Sequence, residues 1–115
     1  DVLRGSTSGL TSAGASEWTQ ASAGVPGTPE ATDIEWDSFG ASLAIADFGR
    51  SGAADLAIGV PLERVDGRAA AGMVDVLYGR STGLSGTGAQ GWTQDSPGVI
   101  GTVESFDGLA TSLGD

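Results

Sequence analysis

Two short apolar runs separated by a polar loop dominate the pattern in the middle of the chain. The runs cover residues 41–46 and 56–60, and the loop covers residues 47–55. Small and β-branched side chains fill the runs, while Gly and Ser fill the loop, which is typical of a β-hairpin with a long connection. The loop reads D-x-G-x-S-G-x-x-D, with a carboxylate at its first and last positions. We expect the rest of the chain to pack around this hairpin.

An internal repeat is the second pattern. Residues 1–30 return at 75–104 with an offset of 74 and no gap, and 17 of the 30 positions are identical. Repeats of this kind indicate stacked structural units. The period suits a four-stranded propeller blade with generous loops.

The repeat places equivalent strands and turns in the two copies. Within the strand at 73–78, alternation directs the odd-numbered residues to one face and the even-numbered residues to the other. The expected features are strands at 1–4 and 73–78, turns at Gly9-Leu10 and Gly83-Leu84, and short strands at 17–20 and 91–94.

Composition excludes several classes of protein. Twenty Gly among 115 residues are too many for a helical bundle, because Gly disfavours helix interiors. A net charge of −10 disfavours a nucleic acid or an anionic membrane as a partner, since phosphates would be repelled. No apolar run is long enough to insert into a membrane. Cys, His and Lys are absent, which removes disulfides and the commonest bases for a Ser nucleophile.

Two short matches to catalytic or nucleotide-binding motifs fail in context. Residues 79–83 read G-x-S-x-G, but no helix pattern follows and the chain has no His to serve Ser81. Residues 86–91 read G-x-G-x-x-G, but Trp-Thr-Gln follows instead of an apolar helix. We interpret the first as a glycine-rich turn and reject a dinucleotide site for the second.

The central pattern resembles a known family. Phe39-Gly40 matches an FG element, and Gly59-Val60-Pro61 matches a GAP element with Val in the Ala position. With the acidic loop and the trailing Leu77-Tyr78-Gly79, the chain resembles the FG-GAP repeats of the integrin α-subunit β-propeller, especially their secreted bacterial versions. The resemblance covers nearly the whole chain.

This resemblance implies an all-β fold, a fragment of a β-propeller built from four-stranded antiparallel blades. Residues 1–37 would be a partial blade, 38–104 a complete FG-GAP blade, and 105–115 the first strand of the next blade, with Phe106-Asp107 as its FG element. Because a blade takes roughly 70 residues, further blades from the same parent protein or from other chains would complete the ring. Both apolar runs would be buried by neighbours on each face.

The acidic loop lies where the family often has a calcium site. Asp47, Ser51 and Asp55 would be side-chain ligands and Ala53 would offer its carbonyl, while Gly49 brings no oxygen to the third loop position. Calcium takes hard oxygen ligands, and Gly permits the sharp turn that wraps them around the ion. The alternative is a metal-free turn in which Asp47 and Ser51 accept backbone N–H groups.

Three further residues are candidates for contact with a partner. Trp36 is unique to the first copy and lies in a loop between acidic residues, and Arg64 and Arg68 flank a turn at Gly67. The alternative for this turn is a solvated hairpin tip. The repeated Trp18 and Trp92 are assigned to packing between blades.

The function that the resemblance implies is an extracellular, non-enzymatic module that binds a protein or glycan ligand at its rim. Two alternatives remain open. In one, the chain is a non-catalytic or rim portion of a secreted hydrolase, a phospholipase, an esterase or a polysaccharide-active enzyme. In the other, several copies of this chain assemble into one propeller.

Overall fold

The described part of the chain is entirely strand, turn and loop. The computed structural model describes residues 1–32 and 35–114. These ranges contain no helix, and therefore no helix long and apolar enough to cross a membrane. The prediction of an all-β fold is confirmed. The strands are β1 (Val2–Ser6), β2 (Gly9–Ser16), β3 (Ala31–Thr32), β4 (Glu35–Trp36), β5 (Ser42–Ala46), β6 (Asp55–Val60), β7 (Met73–Arg80) and β8 (Gly83–Trp92).

Strands β5 to β8 form one antiparallel sheet in which each strand pairs with the next along the chain. β5 and β6 are the two apolar runs of the sequence pattern, joined by the polar loop. Leu43 lies opposite Ile58, and Ile45 lies opposite Leu56. These apolar pairs share one face of the sheet, and such cross-strand pairs stabilise its register.

β1 and β2 form a second hairpin that has the same register as β7 and β8. Every residue pair of β1–β2 recurs in β7–β8 with both numbers raised by 74, so that Val2 opposite Ser16 becomes Val76 opposite Gln90. The irregularity in the pairing that follows Val2 also follows Val76. The two copies therefore share their backbone pairing as well as their sequence.

The turn after each hairpin is also shared. Ser22 Oγ accepts the backbone N–H of Thr19 at 3.0 Å, and Ser96 Oγ accepts that of Thr93 at 2.9 Å. Serine hydroxyls that bond a nearby backbone group stabilise tight turns. In both copies, the serine three residues after the threonine therefore stabilises the same turn.

The last strand of each copy begins earlier than the sequence pattern indicated. Short strands were expected at 17–20 and 91–94, after turns at Gly9 and Gly83. Instead β2 and β8 begin at these glycines, and β2 ends at Ser16. Gly9 and Gly83 have φ of 109° and 120°, a region that favours glycine. Each glycine therefore closes a two-residue hairpin turn, and strand pairing starts at the glycine itself.

One face of the four-stranded sheet packs against the first copy. At Gly86 of β8 the two units come so close that a Cβ would lie 2.2 Å from the carbonyl oxygen of Ala23. Only glycine permits this approach of backbone to backbone. The apolar cluster between the units contains Leu56, Ile58 and Leu77 from the sheet with Val2, Trp18 and Val25 from the first copy.

The opposite face packs against residues near the end of the chain. Leu113 contacts the cluster formed by Ala57, Val76 and Tyr78. The hydroxyl of Ser42 also donates a hydrogen bond to a carbonyl of this terminal segment, that of residue 110, at 2.7 Å. The two faces of the sheet therefore pack against residues 1–32 and residues 105–114 respectively.

The two apolar runs differ in burial. β6 is buried along its whole length, as expected, but Leu43 and Ile45 of β5 are 55% and 74% exposed. β5 is an edge strand of the sheet, and residues 1–32 pack on the neighbouring strands and leave these two side chains in solvent. Burial of β5 by neighbouring units on each face stays a prediction.

The segment that leads into β5 has an equivalent in the second copy that is four residues shorter. Asp37 Oδ2 accepts the backbone N–H of Glu30 at 2.6 Å, and Asp107 Oδ2 accepts that of Glu104 at 2.7 Å. Seven residues separate the first pair and three separate the second. The additional residues of the first copy include the short strands β3 and β4, which pair with each other.

This offset changes the assignment of the second FG element. Leu109-Ala110, and not Phe106-Asp107, lies at the position of Phe39-Gly40. Ala110 has φ of 69° where Gly40 has 87°, so the backbone repeats although the residue differs. Within 105–114 the one bridge is the parallel pair of Leu109 with Gly72, and Asp115 lies outside the described residues.

Candidate functional site

The loop with the predicted calcium ligands lies at one end of the four-stranded sheet, beside the β7–β8 hairpin. Asp47 Oδ1 accepts the N–H of Gly49 at 2.9 Å. Ser51 Oγ accepts the N–H of Ala53 at 3.2 Å and donates to the carbonyl of Gly79 at 2.7 Å. These bonds fold the loop into tight turns and connect it to the end of β7.

Asp55 is fully buried at the base of this loop, and both of its carboxylate oxygens are bonded. Oδ2 accepts the N–H of Phe48 at 2.8 Å, and Oδ1 accepts the N–H of Gly79 at 2.7 Å. Hydrogen bonds from backbone N–H groups to a carboxylate are stronger than those between neutral groups. Asp55 therefore joins the start of the loop to the neighbouring hairpin.

The predicted calcium ligands have few side-chain oxygens that are not already hydrogen-bonded within the protein. Asp47 Oδ2 is the carboxylate oxygen of the set that makes no hydrogen bond to the described residues. Within 1–32 and 35–114, no group of three or more acidic, His or Cys side chains is placed to hold a metal ion. Calcium takes about six to eight oxygens, so backbone carbonyls and water would have to supply most of them. The fit to calcium is therefore weak, and calcium binding stays a prediction.

The three predicted partner-binding residues lie at the opposite end of the sheet, where β5 begins and β6 ends. Trp36 is 72% exposed. The Nε atom of Arg64 lies 3.8 Å from Glu30 Oε1, and its Nη1 donates to the carbonyl of Gly67 at 3.1 Å. Arg68 is exposed in the same tight turn. These residues form one accessible end of the molecule, which we call the Trp36 end.

A buried carboxyl group between the sheet and the first copy was missed from the sequence. Asp75 lies in the middle of β7, is fully buried, and neither Oδ has a hydrogen-bond partner in the described part of the chain. Burial, and secondly the nearby charge of Glu63, raise the pKa of Asp75 to about 7. An acidic residue between Met73 and Leu77 on an apolar face was the signal that could have identified it.

Gly91 provides the space that Asp75 occupies. Gly91 pairs with Asp75 across the sheet, and a Cβ there would lie 3.3 Å from Asp75 Oδ1. The same Cβ would lie 2.8 Å from Pro26 of the first copy. The glycine therefore lets two packed units enclose a carboxyl group.

A second buried acid connects the same two units. Glu63 is 4% exposed, and Gln20 Nε2 donates to its Oε2 at 2.6 Å. Burial raises the pKa of Glu63, and the hydrogen bond from Gln20 acts in the opposite direction. Gln94, which is Gln20 raised by 74, has a buried Oε1 without a partner among the described residues.

The two motif matches lie in strand and turn structure. Ser81 is in the two-residue turn between β7 and β8, and residues 86–91 are part of β8. Neither segment leads into a helix in the described chain. The turn predicted at residues 79–83 agrees with this placement, whereas the strand structure of residues 86–91 was not predicted.

Comparisons with known proteins give no relative. No family model, no curated protein and no solved structure matches the chain.

Proposed function

We propose that this chain is part of an extracellular β-propeller of the FG-GAP type that serves as a scaffold for ligand binding. The recurrence of one stacking arrangement supports the proposal. Val2 and Leu43 line the same groove, and their equivalents Val76 and Leu113 lie in one apolar cluster. A constant face-to-face contact between successive units is what a propeller requires.

Polar contacts between units support the same arrangement. Gln20 of the first copy bonds Glu63 of the second, and Gln94 is in the equivalent position to bond the next unit. Because a buried amide oxygen without a partner costs stability, we expect a further unit to supply a hydrogen-bond donor to Gln94 Oε1. Gln20 and Gln94 would then both bond the unit that follows their own, Gln20 through its Nε2 and Gln94 through its Oε1.

The uncovered part of the sheet is consistent with a larger stack. Among the described residues β1 pairs with β2 alone, while its equivalent β7 pairs on both sides. Leu3, Leu43 and Ile45 line an apolar groove of about 350 Å³ beside this open strand edge. Further strands of a preceding unit would pair with β1 and cover the groove.

Ligand binding is proposed for the Trp36 end. Trp36 offers an exposed ring, and Arg64 and Arg68 offer guanidinium groups for a protein or a glycan. Aromatic and Arg side chains dominate many binding surfaces. Calcium at the 47–55 loop is proposed as a stabilising ion and not as part of the ligand site.

A defined glycan array, followed by titration of each bound glycan, tests the ligand proposal. Trp36→Ala and Arg68→Ala are expected to weaken binding about tenfold or more each, since exposed aromatic and Arg anchors contribute most of such affinities. Ile100→Ala, at a side chain that is 97% exposed on another loop, is the control.

Glycan binding that survives both variants would contradict the location at the Trp36 end. Turnover of ester or polysaccharide substrates by the same protein would favour the hydrolase alternative. A ring that contains several copies of the chain in electron micrographs would favour self-assembly.

A further inference from the structure

A cleft lined by Arg and hydroxyl-bearing residues lies at the end of the sheet opposite the Trp36 end. The loop after β5 and the β7–β8 hairpin enclose it, with a volume of about 240 Å³. The fold thereby brings together two arginines that are 30 positions apart in the chain. The lining residues are Arg50, Ser51, Tyr78, Gly79, Arg80 and Thr87.

Arg50 is held in place by an aromatic ring. Its guanidinium carbon lies 4.2 Å from the centroid of the Tyr78 ring, and the Tyr78 hydroxyl donates to Gln90. Gly88 leaves the space for this arrangement, because a Cβ there would lie 2.8 Å from Arg50 Nη1. Stacking on an aromatic face orients a guanidinium and leaves its N–H edges available.

The backbone at Arg50 is also unusual. Arg50 has φ of 78°, in the left-handed region where glycine is favoured and other residues are disfavoured. The loop therefore presents an arginine at a position where glycine would be less strained. Strained backbone of this kind is concentrated at binding and catalytic sites.

Arg80 is oriented by the hairpin. Its Nη2 donates to the carbonyl of Thr87 at 3.2 Å, which uses one of the five N–H groups of the guanidinium. Ser51, on the other wall of the cleft, is fixed by its bond to the carbonyl of Gly79. Hydrogen bonds within the protein therefore orient Arg80 on one wall of the cleft and Ser51 on the other in the absence of a ligand.

Neither arginine forms an ion pair with a carboxylate of the described residues. The ion pair found among the described residues is that of Arg64 with Glu30, so no described carboxylate lies within 4.0 Å of either cleft guanidinium. Asp47 and Asp55 lie in the same loop as Arg50, but the oxygens of Asp55 are bonded to backbone N–H groups and not to either arginine. In a chain with fifteen acidic residues and five arginines, the cleft thus holds two guanidinium groups whose remaining N–H groups no described carboxylate occupies.

We propose that Arg50 and Arg80 form a site for the oxyanionic group of an acidic ligand, a carboxylate, a sulfate or a phosphate. The planar guanidinium matches two oxygens of such a group and forms charge-assisted hydrogen bonds with them. Tyr78 is a positioning residue, since it contacts Arg50 and holds the guanidinium over the cleft. This site is separate from the Trp36 end and does not depend on the function proposed there.

Titration of the ¹⁵N-labelled chain with sodium glucuronate, sulfate or phosphate tests the site. The ionic strength is kept constant with chloride, and EDTA is present so that calcium cannot mediate binding. We expect saturable shifts confined to the amides of residues 49–52, 78–80 and 87–88 for at least one anion, and none for glucose. The anion that binds most tightly identifies the class of ligand.

Arg50→Gln and Arg80→Gln are expected to weaken this binding at least about tenfold each, because each removes charge-assisted bonds. Thr102→Glu changes the net charge equally, at an exposed residue near the opposite end of β8, and is expected to leave binding unchanged. Two arginine variants keep the test valid if one of them fails to fold. Absence of saturable shifts, shifts spread over the whole protein, or unchanged affinity in the folded arginine variants would each overturn the proposal.

Discussion

Asp75 illustrates how a single residue can oppose the stability of the fold around it. The carboxyl group lies between two packed units, with no hydrogen-bond partner among the described residues. The charge of Glu63, which also accepts a hydrogen bond from Gln20 of the first copy, acts on the pKa of Asp75. A buried carboxylate without a partner loses its hydration, so the neutral acid is favoured and its pKa rises.

The pH dependence of stability follows from this raised pKa. The native state of Asp75 binds its proton more tightly than the unfolded state, where the pKa is 3.8. The free energy of unfolding therefore falls as pH rises from about 4 to about 7 and changes little above that. Asp75→Asn is expected to remove most of this fall, at most about 4 kcal/mol at 1.4 kcal/mol per pKa unit.

Urea unfolding of both proteins between pH 4 and pH 8 measures this effect. Asp95→Asn, which removes an equal charge from an exposed loop, controls for the change in net charge. The same decline of stability with pH in Asp75→Asn and in the wild type would contradict the assignment.

Calcium binding is a second prediction at the residue scale, because it depends on Asp47 Oδ2. With weak, millimolar affinity, about 10 mM calcium would stabilise the fold by roughly 1 kcal/mol and raise its Tm by several degrees. Asp47→Asn is expected to abolish this rise, whereas Asp66→Asn, at an exposed turn, is expected to retain it. Scanning calorimetry with calcium and with EDTA measures both, and an equal rise in Asp47→Asn would exclude this loop.

At the scale of elements, the local sequence pattern was sufficient to predict a hairpin where both strands and the connecting loop follow local rules. The β5–β6 hairpin was predictable because two apolar runs flank a loop of Gly and Ser. The β1–β2 and β7–β8 hairpins were harder to place, because GL pairs look like turns in isolation. Only the pairing showed that Gly9 and Gly83 are the first residues of strands.

The second FG element shows why residue identity alone can mislead. Phe106 is the aromatic residue nearest the expected position, yet it is 81% exposed and precedes the equivalent of Asp37. Asp107 bonds the N–H of Glu104 as Asp37 bonds that of Glu30. The hydrogen bond thus identifies the equivalent residue after a change in loop length, which a sequence match without gaps could not do.

At the scale of the whole molecule, the balance between covered and uncovered apolar surface is the main feature. Residues 1–32 and 105–114 pack against the two faces of the sheet, but Leu43 and Ile45 face solvent next to the open edge of β1. Apolar patches beside an unpaired strand edge promote association. The isolated chain is therefore expected to self-associate as its concentration rises.

Substitution of both groove residues by Thr tests this expectation. Leu43→Thr with Ile45→Thr should reduce association in light scattering and reduce the binding of an apolar dye, while the Tm changes little because both side chains are exposed. Ile100→Thr is the matched control, since Ile100 is 97% exposed away from the groove. Association that is unaffected by the double substitution would show that another surface drives it.

The sequence by itself determined the all-β class, the central hairpin and the 74-residue offset. These depend on local alternation, on Gly at turns and on residues that recur in order, all of which are visible along one chain. Tertiary structure alone decided that Asp75 is buried without a partner, that β5 is exposed, and that Arg50 and Arg80 share a cleft. Burial, desolvation and ion pairing depend on neighbours that are distant in sequence, so no local pattern contains them.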